Sequence, residues 1–283
     1  MEIIRTLHEL SNWRRAQAEA GRRVAFVPTM GNLHNGHLNL VRAAQKQEGQ
    51  PAVVVSIFVN PMQFNDANDL ARSPRTEAED IAQLTRHQVD AVFLPSEADL
   101  TPATDAFTIR VDPGELAAHW EGATRPGHFI GMATIVTKLF HLVQPNVAVF
   151  GEKDFQQLQI VRRMVRDLNM PIEIVGVPTT RADDGLALSS RNRFLNEEER
   201  LVAPLLHATL VDTAQQLQQG APLNDTLEAA RTRLVDAGFV IDYFALCRTD
   251  TLDPLYRTER GILLAAARLG AIRLLDNQHV AID

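Results

Sequence analysis

Two histidines three residues apart, His34 and His37, close the segment Pro28-Thr29-Met30-Gly31-Asn32-Leu33-His34-Asn35-Gly36-His37. The segment follows Val24-Ala25-Phe26-Val27, an apolar run that predicts a buried strand stopped by Pro28 and Gly31. Asn35-Gly36 is a turn pair. From His37 onward Leu38, Leu40, Val41 and Ala44 recur at helical spacing, so a helix is expected from about Gly36 to about Glu48. In an α/β fold this places the turn at the carboxyl end of the first strand, where open sheets bind ligands. A helix start offers unpaired N–H groups and positive dipole character, which suits phosphate. There, imidazoles can donate hydrogen bonds to charge that builds on phosphorus oxygens. Two other uses fit the spacing, a metal pair and a pair of surface histidines. The order His-Asn-Gly-His is not that of a helical zinc motif and no Cys/His cluster follows, so no metal ligand is assigned.

Three further stretches carry chemistry-bearing side chains. Gly151-Glu152-Lys153-Asp154-Phe155-Gln156-Gln157 stands between an apolar run and a helical pattern, on the sheet edge expected for His34 and His37. Lys153 can neutralise phosphate, Asp154 can accept from ribose hydroxyls, and Gln157 can reach a pocket floor. The same residues also suit a plain helix start with a solvated lysine. Leu186-Ala187-Leu188-Ser189-Ser190-Arg191-Asn192 offers two hydroxyls and a forked guanidinium to a triphosphate, or serves as a solvated hinge. Phe58-Val59-Asn60-Pro61-Met62-Gln63-Phe64 includes a glutamine, Gln63, that can both donate and accept toward a small hydroxy acid, or that lies exposed on a strand-end turn.

These stretches need a scaffold. Helices are expected over about Leu7 to Ala20, Thr76 to His87, Ile130 to Val143 and Phe155 to Leu168, and strands over Ala52 to Val59, Ala91 to Leu94, Val147 to Phe150 and Ile172 to Val177. Apolar strands alternating with helices predict right-handed βαβ units around a parallel sheet. Phe107 to Val111 reads as a short strand, and Asp66 to Pro74, Pro95 to Thr104 and His119 to His128 as loops. Beyond Pro178 the texture changes. Thr179 to Asn192 reads as a loop and domain boundary. Two long helices (Glu197 to Gln218, Leu223 to Ala237) and three short strands (Val240 to Leu246, Ile262 to Ala266, Ala271 to Leu275) then suggest a small α+β closing domain.

The chain has 283 residues and a formal net charge of -7, ample for two domains and unfavourable for general nucleic-acid or anionic-membrane binding. One cysteine, Cys247, leaves no disulfide framework, and no signal-peptide pattern or apolar membrane span is read, so a cytoplasmic location is expected.

His34-Asn35-Gly36-His37 resembles the HIGH-type signature of nucleotidylyltransferases, and Pro28 to His37 as a whole is similar to the pantothenate synthetase (pantoate–β-alanine ligase) family. Gly151 to Gln157 resembles that family's GEKDxQQ segment, with Phe155 where an aromatic is usual. Ser189-Ser190-Arg191 resembles a loop similar in role to the KMSKS loop of related synthetases. The resemblance implies a Rossmann-like α/β domain over about 1–178 and a smaller α+β lid domain over 179–283. It implies ligation of pantoate to β-alanine through pantoyl adenylate, with ATP as substrate and Mg²⁺ bound mainly through the ATP phosphates. Catalytic roles fall on His34, His37, Lys153 and Arg191. Nucleotide contacts fall on Met30, Gly31, Asn32, Leu33, His34, Asn35, Gly36, His37, Gly151, Glu152, Lys153, Asp154, Thr180, Leu188, Ser189, Ser190 and Arg191. Gln63 and Gln157 hold pantoate, with Met30 and Phe64 beside its dimethyl group. Arg125 and His128 match a further family segment and are left without a role. A homodimer is implied. The chain departs from the family at Asn68-Asp69, where Glu-Asp is usual, at Ser73-Pro74-Arg75-Thr76, where a tyrosine usually leads, and at Thr180, where valine is more usual. A different nucleotidylyltransferase, or a non-catalytic nucleotide-binding protein, is the competing expectation.

Overall fold

Strands β2 (Val24–Thr29), β3 (Ala52–Ile57) and β5 (Val147–Gly151) carry almost no polar side chains, so they must be covered on both faces. The computed structural model, which describes residues 1–64, 76–101 and 109–281, shows how this is done. The strands lie in a six-stranded parallel sheet of order β1-β4-β3-β2-β5-β6, with β1 (Glu2–Ile4), β4 (Ala91–Phe93) and β6 (Glu173–Val177). Successive residues alternate between two cores. Val24, Phe26, Ala52 and Val54 join Leu10 and Trp13 of α1 (Leu7–Glu19) and the buried face of α6 (His128–Val143). Ala25, Val27, Val53 and Val55 meet Val41 and Ala44 of α2 (Asn35–Gln45) and Leu84 of α3 (Glu77–Arg86) on the other side. The sheet is therefore Rossmann-like, as expected.

The strand order reverses between β2 and β5. From β2 the chain builds outward through β3 and β4, then returns to lay β5 and β6 on the opposite side. Those two central strands pair only at Ala25 with Val147 and Phe26 with Ala148. Beyond that point their carboxyl ends part. This separation explains how Pro28 stays inside β2, where a stop was expected. Pro28 registers with Ser56 of β3 and has no partner on the β5 side, so its missing N–H breaks no ladder there.

The C-terminal part is a three-stranded antiparallel sheet of β7 (Phe239–Cys247), β8 (Gly261–Leu269) and β9 (Ile272–Val280). Helices α9 (Leu205–Gln218) and α10 (Leu223–Asp236) cover one face through Leu210, Leu217, Leu227 and Leu234. From the other face, Ile262 and Leu264 join the core beneath α6 and α7 (Phe155–Asp167). The two sheets thus share a core.

Several local expectations are corrected. The helix expected over Glu197 to Gln218 is two, α8 (Glu197–Val202) and α9. Pro204 lacks the N–H that would continue the first, while its fixed φ suits the start of the second. Strand β1 is too short to show a period. The loop expected after Pro95 holds α4 (Glu97–Leu100), begun by a Ser96–Asp99 capping box, and that around His119 to His128 holds α5 (Glu121–Thr124). Residues 109–111 are not in a strand, while Phe107, the Asp66 to Pro74 loop and the Asn68 and Ser73 departures lie outside the described residues.

Helix α6 crosses the turn after β3 so closely that a Cβ at Gly131 would stand 2.2 Å from the Met62 carbonyl oxygen. Gly131→Ala is therefore expected to destabilise the fold by about 1–3 kcal/mol, despite alanine's better helix propensity, through backbone overpacking. A urea titration measures it, and an unchanged midpoint would contradict this packing.

Candidate active site

The turn after β2 is built from the backbone up. Gly31 and Asn32 both take positive φ, 81° and 51°. Thr29 Oγ1 donates to the Ser56 carbonyl at 2.8 Å and accepts from Gly31 N–H at 3.2 Å. The carboxylate of buried Asp80, on α3, accepts from Asn32 N–H at 2.9 Å, Leu33 N–H at 2.8 Å and Thr76 Oγ1 at 3.0 Å. Sequence reasoning missed Asp80. Its one signal was an acidic residue at i−4 from buried Leu84, on the apolar face of α3.

His34 is the N-cap of α2. Its Nδ1 accepts from Gly36 N–H at 3.1 Å, and His37 Nδ1 accepts from His34 N–H at 3.3 Å. An Nδ1 that accepts a backbone N–H carries no proton, so each neutral ring bears its hydrogen on Nε2. The ring centroids are 4.1 Å apart. Burial, with Lys153 adding to it, lowers the His34 pKa to about 4, and burial with the neighbouring His34 lowers that of His37 to about 3. At neutral pH both are uncharged donors.

The opposite wall is the turn after β5. Lys153 Nζ stands 3.7 Å from Asp154 Oδ1. Desolvation works to raise the Asp154 carboxyl, but the neighbouring charges together, Lys153 and Arg191 foremost, hold the group below the usual carboxylate range. Buried Gln156 also lines the cavity, and its side chain is spent on the backbone of residues 116–121. Its Nε2 donates to Leu116 O at 2.8 Å and His119 O at 3.0 Å, and its Oε1 accepts from Glu121 N–H at 3.1 Å, which fixes the loop before α6.

The third wall carries Gln63. Buried Asn60 donates from Nδ2 to Gln63 Oε1 at 3.1 Å and to Gly131 O at 3.2 Å, while Gln63 Nε2 lies 2.9 Å from Met30 Sδ. Arg125 and His128, left without a role above, grip the Gln63 carbonyl from Nη2 at 3.0 Å and Nδ1 at 2.8 Å. His128 is therefore protonated on Nδ1, opposite to His34 and His37, and burial with Arg125 lowers its pKa to about 4. The loop that follows β6 completes the enclosure. Ser189 Oγ accepts from Arg191 N–H at 3.3 Å, Asn39 Nδ2 donates to Thr180 Oγ1 at 2.8 Å, and Arg193 reaches Asn32 Oδ1 at 3.4 Å.

These walls surround a cavity of about 280 Å³. It brings together Met30, His34, Gly36, His37, Gln63, Phe64, Gly151, Lys153, Asp154, Gln157, Thr180, Leu188, Ser189, Ser190 and Arg191 of the residues singled out above. Gly31, Asn32, Leu33, Asn35 and Glu152 stand outside the lining and shape its turns instead. Sequence reasoning missed the contribution of the C-terminal sheet, since Tyr243, Leu264, Leu275, Asp276 and Asn277 also line the cavity. Tyr243 Oη donates to Glu121 Oε1 at 3.1 Å, and Arg273 bridges Glu121 and Asp242 at 2.5 Å each. The pairings with Glu121 join residues more than a hundred positions apart and leave no local trace. Among the described residues no cluster of three or more metal-ligating side chains occurs, and no helix is long and apolar enough to cross a membrane.

A Rossmann-like sheet with an anion-suited crevice at its strand-order reversal is the architecture of a nucleotide-handling α/β enzyme. Residues 2–279 match the family model described as pantoate-beta-alanine ligase, and the chain belongs to that family. It is 49% identical over 277 residues to the pantoate–β-alanine ligase of Schizosaccharomyces pombe, covering 97% of this chain and 96% of that one. The crystal structure of pantothenate synthetase from Thermus thermophilus superposes with a TM-score of 0.91 at 45% identity, covering 99% of each chain. The Francisella tularensis pantoate–β-alanine ligase, solved as a complex with β,γ-ATP and β-alanine, superposes at 0.83 with 33% identity, covering 99% of this chain and 97% of that one.

The depressed histidines make the fold acid-sensitive. Their folded pKa values lie below the ordinary 6.5, so the unfolded chain binds more protons as pH falls from about 6.5 through about 3, and stability is lost across that window. Urea midpoints are expected to drop there, and His37→Gln to flatten the dependence. An equally steep profile in the variant would contradict burial of a neutral His37.

Proposed function

We propose that the protein condenses pantoate with β-alanine at the expense of ATP, through a pantoyl-adenylate intermediate, giving pantothenate, AMP and pyrophosphate. Membership of the ligase family supports the overall reaction. The observation that carries the chemistry is the convergence of two Nε2–H donors, Lys153 and Arg191 on the cavity that also holds Gln63 and Gln157. In the first step a pantoate carboxylate oxygen attacks the α-phosphorus. The new P–O bond forms as the bond to the β-phosphate oxygen breaks, and the electron pair leaves with pyrophosphate. The carboxylate is already ionised and needs no general base. The barrier lies in anion–anion repulsion and in charge growing on the α-phosphate and leaving group. His34, His37, Lys153 and Arg191 are the donors for that charge. In the second step the free amine of β-alanine attacks the acyl carbon, AMP departs with the C–O electron pair, and the nitrogen loses a proton.

Gln63 orients pantoate, its carbonyl held by Arg125 and His128 and its side chain by Asn60. Gln157 faces it from α7. Leu188, Thr180, Gly151 and Met30 flank the nucleotide, while Gly31, Asn32, Leu33, Asn35 and Glu152 serve through the backbone shape of the turns. Mg²⁺ fits as an ion that travels with the phosphates and keeps most of its waters, since the lining offers no carboxylate cage. Asp154, which faces Lys153, is the carboxylate that would hold such an ion through its waters, whereas Glu121 and Asp276 are paired with arginines. When bound, the ion supplies charge neutralisation on the phosphates. Residues 179–192 close over the nucleotide in this reading, with 1–178 as the binding unit and 179–283 as the closing unit. A cytoplasmic homodimer is carried over from the family resemblance, and its dimeric state can be checked by sedimentation.

Pyrophosphate release from Mg-ATP tests the assignment. A pantoate-dependent burst of one equivalent per site, becoming steady release when β-alanine is added, is the expected outcome. Nucleotide binding without pantoate-dependent release would assign the chain to another acceptor or to binding alone. In the same assay His37→Ala is expected to lower the rate about 100- to 1,000-fold, the usual cost of one transition-state donor. A loss under about threefold would remove His37 from the chemistry.

A further inference from the structure

The ammonium of Lys153 sits on a tight turn, Glu152–Asp154, that begins without any side-chain cap. Its carbonyl groups are met instead from the far end of the sequence. Asn277, on β9 and 7% exposed, donates from Nδ2 to Glu152 O at 2.8 Å and to Lys153 O at 3.0 Å. Both neighbours are carbonyls, so only the amino side of the carboxamide fits there. Two residues on, His279 meets the Phe155 ring edge-on at 5.5 Å between centroids. Asn277 is itself held. Its N–H donates to Asp276 Oδ1 at 2.8 Å, and the Asp276 carboxylate takes a forked pair of bonds from Arg181 at 2.6 and 2.9 Å. Arg181 also donates to Gly185 O at 3.1 Å and bridges Ala187 across the loop that carries Ser189 and Arg191.

We propose that Asn277 is a positioning residue for Lys153, and that the Asp276-Asn277 pair sets the lysine turn in register with the Ser189–Arg191 loop. One dipeptide of the C-terminal sheet thereby holds two cationic elements of the phosphate site at a fixed separation. A backbone carbonyl bonded on its outer side cannot rotate, so the turn keeps the Lys153 stem directed into the cavity. Without the two donors, both carbonyls would have to find water in a half-buried seam, and the turn would relax.

The proposal rests on the ligase reading, and its test is arranged to separate the two. Affinity for a non-hydrolysable ATP analogue is measured by calorimetry for the wild type, Asn277→Ala, Lys153→Ala and the double variant. Asn277→Asp, which keeps the volume and removes the donors, is carried alongside, with a melting temperature for each. Asn277→Ala and Asn277→Asp are expected to weaken the analogue about tenfold with little change in melting. In the Lys153→Ala background, Asn277→Ala should change affinity by less than about twofold, because the group it positions is gone. Multiplying effects would overturn the proposal, and so would an unchanged affinity in both Asn277 variants. Collapse of melting in both would make Asn277 a fold residue only, and would overturn it too. A wild type that binds the analogue yet releases no pyrophosphate with pantoate would remove the ligase reading, while the affinity cycle would still decide the role of Asn277.

Discussion

The parting of β2 and β5 beyond their short registered ladder is the constraint from which the rest follows. Parallel strands bonded along their whole length would bring their carboxyl ends edge to edge and leave no space for a ligand. Here the ladder ends at Phe26 and Ala148, and the two chains turn away into separate helices. One turn delivers His34 and His37, the other Lys153 and Asp154. The cavity between them is a product of topology, since the strand order reverses at this pair. Pro28 is tolerated in a central strand for the same reason.

The proposed chemistry depends on hydrogen-bond polarity as much as on position. His34 and His37 spend Nδ1 as acceptors of backbone N–H groups, which leaves Nε2–H to face the cavity. His128 spends Nδ1 as a donor to a carbonyl and so has the reverse tautomer. Three imidazoles around one cavity thus have assigned protons, and desolvation keeps all three uncharged at neutral pH. A neutral donor suits a site that must bind a highly charged nucleotide and then release charged products. In the proposed reaction such a donor would stabilise developing charge without the strong ground-state attraction that a full cation would add.

The parts legible in the sequence were those whose cause is local. The turn around His34 to His37, the Lys153 turn and the Ser189–Arg191 loop each combine a strand ending, a turn residue and a helix or loop start within a short stretch. Parallel α/β architecture followed from apolar runs that show no alternation. The missed parts depend on distant partners. Asp80 is an acid on an apolar helix face whose purpose appears only when the turn after β2 is laid against it. Asn277, Tyr243 and Arg273 reach the site because the second sheet shares a core with the first. Pro204 was a different case, because its break of the expected helix is local and readable; the uninterrupted apolar period on either side concealed it.

The depressed histidines have a thermodynamic corollary. In the proposed reaction, phosphate groups brought close to His34 and His37 would favour the protonated imidazoles, so nucleotide binding would raise their proton affinity. Linkage is reciprocal, so protons raise nucleotide affinity by the same factor. Without nucleotide, burial costs a lone imidazolium its hydration, and a bound triphosphate offsets that penalty. On that reading nucleotide and proton are coupled ligands of one cavity, and the liganded protein would tolerate acid that unfolds the free one.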